Sequence, residues 1–293
     1  MIDLLSHLRI FIDIADHGSL AVTARARGCV PSAITASLQR LEQHVGARLV
    51  LRSTRKLSLT PEGEIFLQRC RSTLGDLDEA IDQICDNGPL KGTIRLTAIN
   101  DFGRSTLSRV INDFQALHPE VRFELSLGDE VVDLIEGGYD LAIRTGPLFD
   151  SRLTARLILR SRRSVCASPD YWLRHGKPCH PEELKEHNCL VLARVANPQV
   201  VWPFIDGKRT ISIHVSGNRM TNDGGLLRHW AIEGLGVVLK SDYDVAADIT
   251  AGRLEKVLES FNGVDVNLYA VHAAGRQPSR RVSAFIDFLT EYL

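Results

Sequence analysis

Apolar residues recur every three or four positions over three N-terminal stretches, and this spacing predicts the first elements of the fold. Leu4, Leu8, Phe11 and Ala15 lie one turn apart and predict a helix that ends at Gly18. Ser19 suits the cap of a short second helix over 20–26. Gly28 breaks that helix, because glycine alone enters a tight left-handed turn without steric cost. Pro31 fits the first turn of a third helix, where its missing N–H is not needed. Ile34, Leu38 and Leu41 would face the second helix, and Ala24 is small enough for the two to cross closely. Two helices joined by a glycine turn predict a helix-turn-helix, whose second helix enters the DNA major groove.

The period then shortens. Segments 48–51 and 56–59 are too short for helices and predict two strands of a wing around Ser53-Thr54-Arg55. A long helical pattern follows over 61–86, roughly 39 Å at 1.5 Å per residue. Phe66, Thr73, Leu77, Ala80 and Ile84 mark one face, with Cys70 and Ile81 beside it. A helix this long with one apolar face needs a partner, either its own domain or a second copy of the chain. The pairing face of a dimer is assigned to Phe66, Thr73, Leu77 and Ile84. Asn87-Gly88-Pro89 ends the helix and reads as a hinge.

Beyond Lys91 strands and helices alternate. Segments 93–98, 121–127 and 141–143 are strand-like, and 105–117 and 130–137 helical, which predicts βαβ units and a parallel sheet. Strands at 164–167, 190–193, 211–215 and 237–239 accompany a helix over 223–233. A strand at 266–271 and a helix over 279–292 close the chain.

The chain carries a formal net charge of −1, so any nucleic-acid contact must be local. Such a patch exists between Leu20 and Thr60. Arg25, Arg27, Arg40, Arg48, Arg52, Arg55 and Lys56 face one acid, Glu42, seven against one. Pro31, Ser32, Thr35 and Arg40 on the third helix and Arg52, Arg55 and Lys56 on the wing are the candidate DNA contacts, with Ser32 and Thr35 toward bases or phosphates and Arg52 on a phosphate.

The same residues carry a family resemblance. Phe11, Gly18-Ser19, Ala24, Pro31-Ser32-Ala33, Leu41-Glu42, Gly46, Arg52 and Leu59-Thr60-Pro61-Glu62-Gly63 fall in register with the winged helix-turn-helix of LysR-type transcriptional regulators. Thr23 stands where that family has a second alanine, Arg27 where it buries a leucine, Val30 where it has a capping serine, and Val50 where it has a phenylalanine. Phe114 with His118-Pro119, the run Gly138 to Gly146, Cys166-Ala167-Ser168-Pro169 and Gly234-Leu235-Gly236 resemble the effector domain of the same family. The fold class implied is α/β with an N-terminal winged helix-turn-helix, a long linker helix and a two-lobed effector domain like a periplasmic binding protein. The implied boundaries are 1–63, 64–88 and 89–293, with lobe 1 at about 92–163 and 266–293 and lobe 2 at about 164–265. The function implied is a ligand-responsive regulator that binds palindromic double-stranded DNA as a homodimer or homotetramer.

In open α/β sheets, ligands bind beyond the carboxyl ends of strands. Asn100 and Asp101 follow the strand 93–98, Arg144, Thr145 and Gly146 follow 141–143, and Asn222 and Asp223 open the helix of the second lobe. If the lobes face each other these segments line one crevice, with helix N-termini favouring an anionic group. Helix capping is the plain alternative for Asn100, Asp101, Asn222 and Asp223. Asp101 disfavours a strongly anionic ligand, so the expected effector is a small polar carboxylate that also bears an amine or hydroxyl.

No GxSxG, HExxH, P-loop or GxGxxG occurs, so no enzyme chemistry and no cofactor is expected. Cys179, His180, His187 and Cys189 lie close in sequence, but their spacing fits no zinc finger and no metal is expected. No run approaches the ~18 apolar residues of a spanning helix, and a cytoplasmic location away from membranes is expected. Two alternatives compete: a solute-binding protein or enzyme with an accessory N-terminal domain, and a regulator that senses oxidants through Cys179 and Cys189.

Overall fold

The computed structural model describes residues 3–52, 57–84, 88–130, 132–146, 150–194, 197–207, 209–261, 264–275 and 277–293. Two compact units divide the chain, one over Met1–Gly88 with Ile135–Gly138, the other over Pro89–Leu134 and Tyr139–Leu293.

The first unit opens with α1 (Leu4–His17), α2 (Leu20–Ala26) and α3 (Pro31–Val45). Asp3 caps α1 through the Ser6 N–H, and Gly18 ends it in the left-handed region at φ 60°. The buried face of α1 is Phe11 and Ile14, with Leu4 and Leu8 half-buried; Ile14 takes the inward place that the spacing gave Ala15, since the larger side chain removes more apolar surface from water. Ser19 caps α2 by accepting from the Val22 N–H, and Gly28 turns the chain at φ 64°. Ile34, Leu38 and Leu41 of α3 join Phe11, Ile14 and Ala24 in one core. The polar departure at Thr23 is accommodated there: fully buried, its hydroxyl donates to the Ser19 carbonyl at 2.9 Å. Arg27 reaches back to pair with Asp13, and Val30 makes no capping bond.

The wing consists of β1 (Val50–Arg52) paired antiparallel with β2 (Leu57–Leu59), Arg52 opposite Leu57. Two side chains and one close backbone approach weld it to the helices. Glu42 Oε1 accepts the Leu49 and Val50 N–H groups at 2.8 and 3.2 Å. Thr60 donates to the Arg48 carbonyl at 2.7 Å and accepts from the Gly63 N–H at 2.9 Å. Gly63 lies so close to Leu49 that a Cβ there would stand 2.0 Å from its carbonyl oxygen. Helix α4 (Pro61–Ile84) follows and packs beside α1. Phe66, expected on a pairing face, stacks obliquely on Phe11, ring centroids 5.8 Å apart, against its own domain's core.

The second unit has two lobes. Lobe 1 contains β3 (Gly92–Ala98), α5 (Asn100–Phe102), a π-helical turn over Gly103–Leu107, α6 (Ser108–Leu117), β4 (Val121–Leu127), β5 (Leu141–Thr145) and β6 (Leu153–Leu159). Lobe 2 contains β7 (Arg163–Ala167), α7 (Pro169–His175), a 3-10 turn over Pro181–Glu186, β8 (Val191–Arg194), β9 (Asn197–Pro198), β10 (Val201–Asp206), β11 (Arg209–His214), β12 (Met220–Thr221), α8 (Gly224–Ile232), β13 (Val238–Ser241), α9 (Asp242–Thr250), β14 (Glu255–Val257) and a 3-10 turn over Glu259–Phe261. The chain then returns to lobe 1 as β15 (Leu268–Ala273) and α10 (Arg280–Tyr292).

The lobe 1 sheet runs β4-β3-β5-β15-β6. It is mixed and not parallel throughout: β3 pairs parallel with β4 and β5, but the returning β15 pairs antiparallel with β5 and β6. Phe114 of α6 and Phe285 of α10 meet edge to face at 5.1 Å over this sheet. The helix expected over 130–137 is absent among its described residues, which form turns; two glycines at its end leave too little to hold a helix once Leu134 is drawn into a small cluster with Ala142 and Val271. In lobe 2, β7 lies between β13 and β14, and β10 and β11 form a hairpin with Trp202, Phe204 and Ile213 inward. Two crossing segments link the lobes side by side, with the Val266 N–H donating to the Ser161 carbonyl at 2.7 Å.

Candidate DNA-binding surface and effector cleft

Helix α3 turns its apolar stripe inward, so its other face is free by construction. Pro31, Ser32 and Arg40 are exposed there and Thr35 is half-buried. Gln39, not among the residues expected from sequence, is also exposed; it follows Ser32 by seven residues and Thr35 by four, and therefore shares their face. The backbone of Arg52 ends β1, while Arg55 and Lys56 lie outside the described residues. Glu42, the one acid of this basic stretch, spends its carboxylate on the wing backbone and does not confront a phosphate. Farther along α4, Thr73 and Leu77 are exposed and Ile84 is the last helical residue.

In the second unit a cleft opens between the lobes. Lobe 1 supplies Asp101 from α5, just past the carboxyl end of β3, and Thr145 from the end of β5. Lobe 2 supplies Lys240 and Ser241 from the end of β13 and Asp244 from the first turn of α9. Lys240 is only 5% exposed, and its ammonium pairs with Asp101 Oδ2 across the cleft and with Asp244 Oδ2 at 3.1 Å. Burial works against the Lys240 charge, yet Asp244 and Asp101 together hold its pKa above the usual lysine value. Burial pushes the Asp244 carboxyl up to about 6, with Lys240 acting in the opposite direction. One oxygen of each carboxylate, Asp101 Oδ1 and Asp244 Oδ1, is buried without a hydrogen-bond partner.

Two further contacts join the lobes beside this ion cluster. Arg104 Nη1 donates to Asp223 Oδ2 at 2.8 Å, and Asp223 also caps α8 by accepting from the Leu226 N–H at 2.9 Å. The Arg104 hydrogen bond holds the Asp223 carboxyl below its usual range. The rings of Phe102 and Tyr243 meet edge to face at 5.8 Å. Gly224 makes the approach possible: a Cβ there would lie 2.1 Å from Asp101 Oδ2.

Of the seven residues expected at the ligand, Asp101 and Thr145 line the cleft. The Asn100 N–H is held by Asp129 Oδ1 at 3.1 Å, and its side chain is not in the lining. Arg144 turns into the sheet, donating to Thr97 Oγ1 at 2.8 Å and the Ile143 carbonyl at 3.2 Å, and burial lowers its pKa. Gly146 packs under the Tyr269 ring, where a Cβ would stand 2.5 Å from a ring carbon. Asn222 is exposed, and Asp223 is committed to Arg104 and the α8 cap. The remaining polar lining is Asp129, Arg163, Gln199, Lys240, Ser241, Tyr243 and Asp244, which no local motif marked.

Both histidines of the cysteine and histidine quartet make hydrogen bonds within the lobe. His180 caps the 3-10 turn through the Glu182 N–H at 3.3 Å, and His187 bonds the Tyr171 hydroxyl at 3.3 Å. Cys179 is exposed, whereas Cys189 is fully buried, and burial pushes its thiol up to about 12. A thiol so disfavoured from ionising is a poor partner for oxidation.

A winged helix-turn-helix ahead of two lobes that close on a polar cleft defines a ligand-responsive DNA-binding regulator. The chain belongs to the LysR family of transcriptional regulators: residues 5–64 match the bacterial regulatory helix-turn-helix protein, lysR family, and residues 87–293 match the LysR substrate binding domain. It is 34% identical over 289 residues to an HTH-type transcriptional regulator of Xanthomonas campestris pv. campestris (strain 8004), covering 97% of this chain and 84% of that protein. The structure of CrgA, a LysR-type transcriptional regulator from Neisseria meningitidis, superposes with a TM-score of 0.64 at 29% identity, covering 98% of this chain and 97% of CrgA. The full-length Vibrio cholerae virulence activator AphB gives 0.61 at 28% identity, covering 98% and 99%. These relatives are named as regulators, which points to a regulatory and not a catalytic role. No described helix is long and apolar enough to cross a membrane.

Proposed function

We propose that this regulator acts in the cytoplasm as a homodimer or homotetramer on an inverted-repeat promoter site, and that a small polar carboxylate bearing an amine or hydroxyl is its effector. The observation that carries this reading is the cleft itself: Asp101 and Thr145 of one lobe face Lys240, Ser241 and Asp244 of the other, so a ligand there touches both lobes at once. A ligand shifts a conformational balance only by binding one arrangement better than another, and a group held by both lobes does so. Ser32, Thr35 and Gln39 share the exposed face of α3, where they are offered to base edges, and Arg40, Arg52, Arg55 and Lys56 supply phosphate contacts.

Selection of bound duplexes from a random pool tests the DNA part. The expected product is an inverted repeat with half-sites about one helical turn or a multiple apart. Recovery of a lone half-site would refute the dimeric reading. For the cleft, Thr145→Trp fills the lining position with a bulky ring; effector response should vanish while effector-free DNA binding persists.

A further inference from the structure

Asp101 and Asp244 come from opposite lobes and share one ammonium. Lys240 Nζ takes Oδ2 of each, so both carboxylates converge on a single point of the cleft wall. Their Oδ1 atoms are left over, buried and without hydrogen-bond partners. Asp244 is only 7% exposed, so water does not readily answer that oxygen. Arg228, whose charge also reaches Asp244, is committed to Asp248 Oδ2 at 3.3 Å and to the Asp244 carbonyl at 3.0 Å. Asp129, the other acid of the lining, already accepts the Asn100 N–H. Arg104 is taken by Asp223. The Asp101–Asp244 pair therefore presents two buried acceptors with no donor, one from each lobe.

We propose that the effector carries a protonated amine, which this regulator recognises by seating it on Asp101 Oδ1 and Asp244 Oδ1 beside Lys240. An ionised carboxylate oxygen accepts and cannot donate, so the group that completes the pair must be a donor. An ammonium brings up to three N–H donors and makes charge-assisted hydrogen bonds to both oxygens, whereas a hydroxyl brings one donor and no charge. A ligand that is only an anion would face two carboxylates sharing one counterion. Arg163, also in the lining and bonded to Gln199 Oε1 at 3.2 Å, places positive charge on the lobe 2 side of the cleft. Because the two oxygens belong to different lobes, an ammonium bridging them favours the closed arrangement. This assignment rests on the cleft being the effector site, as proposed above.

Calorimetry on the full chain tests it with defined probes: the proteinogenic amino acids, small diamines, and the 2-hydroxy acids that match the amino acids in shape. Binders should carry a primary amine, and their hydroxy counterparts should bind at least about tenfold more weakly. Asp244→Asn and Asp101→Asn keep the shape but remove the charge, and each should weaken the amine-bearing binder by about tenfold or more. Asp101 is less buried than Asp244, so Asp101→Asn keeps the test open if Asp244→Asn does not fold. Binding that is lost in Thr145→Trp but unchanged in both Asn variants would overturn the amine assignment while leaving the cleft in place. Binding unchanged in Thr145→Trp would overturn the cleft itself. A panel in which only amine-free acids bind, or none of the amines, also overturns the proposal.

Discussion

Asp101 and Lys240, 139 residues apart in sequence, form an ion pair that ties the first turn after β3 to the end of β13 across the cleft. The lysine is nearly out of water, and its second carboxylate, Asp244, is as buried as it is. Removing one member of such a cluster leaves the others as unpaired buried charges, which costs more than the pair itself contributes. Lys240→Met should destabilise the effector domain by about 3–5 kcal/mol in urea unfolding. Adding Asp244→Asn to Lys240→Met should recover part of that loss, because one of the stranded charges is then gone.

The raised pKa of Asp244 has a definite sign in stability. Its carboxyl rises from an ordinary 3.8 to about 6 on folding, chiefly through burial. The native state therefore binds the proton more tightly than the unfolded chain does. The contribution of this group to stability is fully present below about pH 4 and is lost as pH rises to about 6. Relative to Asp244→Asn, the wild type should lose on the order of 2 kcal/mol between pH 4 and pH 6, then run parallel above. Chemical denaturation of both proteins across that range measures the difference; parallel curves throughout would show that Asp244 is not shifted.

How much of this was legible beforehand depends on the range of each interaction. The DNA-binding unit could be read because its determinants are local: Gly18 and Gly28 turn the chain where they stand, and Ser19 caps the helix that begins one residue later. The roles of Glu42, Thr60 and Gly63 were visible only as a resemblance; their contacts to the backbone of residues 48–50 supply the physical reason. The cleft was half legible. Strand ends pointed to Asp101 and Thr145, but Lys240 sits in a strand expected to stop at 239, and nothing near it in sequence announces Asp101. Asp223 opens its helix as the local pattern indicates, capping α8, and its bond to Arg104 of the other lobe is one that no local pattern carries. The mixed sheet was hidden for the same cause: β15 pairs antiparallel with β5 and β6 across more than a hundred residues, beyond any local period.

Gly63 offers a sharp test of the weld between wing and linker helix. Its Cβ would collide with backbone, 2.0 Å from the Leu49 carbonyl oxygen and 2.9 Å from the carbonyl carbon, so no rotamer change can relieve it. Gly63→Ala must displace either β1 or the start of α4, and with them the basic wing. We expect a loss of about 2–4 kcal/mol in stability of the N-terminal unit and weaker DNA binding. Thermal unfolding and gel retardation report the two effects; a variant with wild-type values for both would mean the wing and α4 are not rigidly joined.

The linker helix carries the prediction about assembly. Phe66 packs against the domain's own core, and Cys70 and Leu74 are buried. Leu77, one turn beyond Thr73, is 36% exposed, an apolar side chain left half in water near the end of a 24-residue helix. If a second copy covers it, Leu77→Asp places a charge where the two helices meet, at a cost of several kcal/mol. A single chain should tolerate the same change, since the residue faces solvent there. We therefore expect Leu77→Asp to fold with an unchanged far-UV spectrum, to scatter light as a monomer at micromolar concentration, and to bind an inverted-repeat site about a hundredfold or more weakly, because the second half-site is no longer delivered by the first. Single half-site affinity should stay the same. A wild-type monomer under those conditions, or a Leu77→Asp variant that remains fully associated, would move the pairing surface off α4.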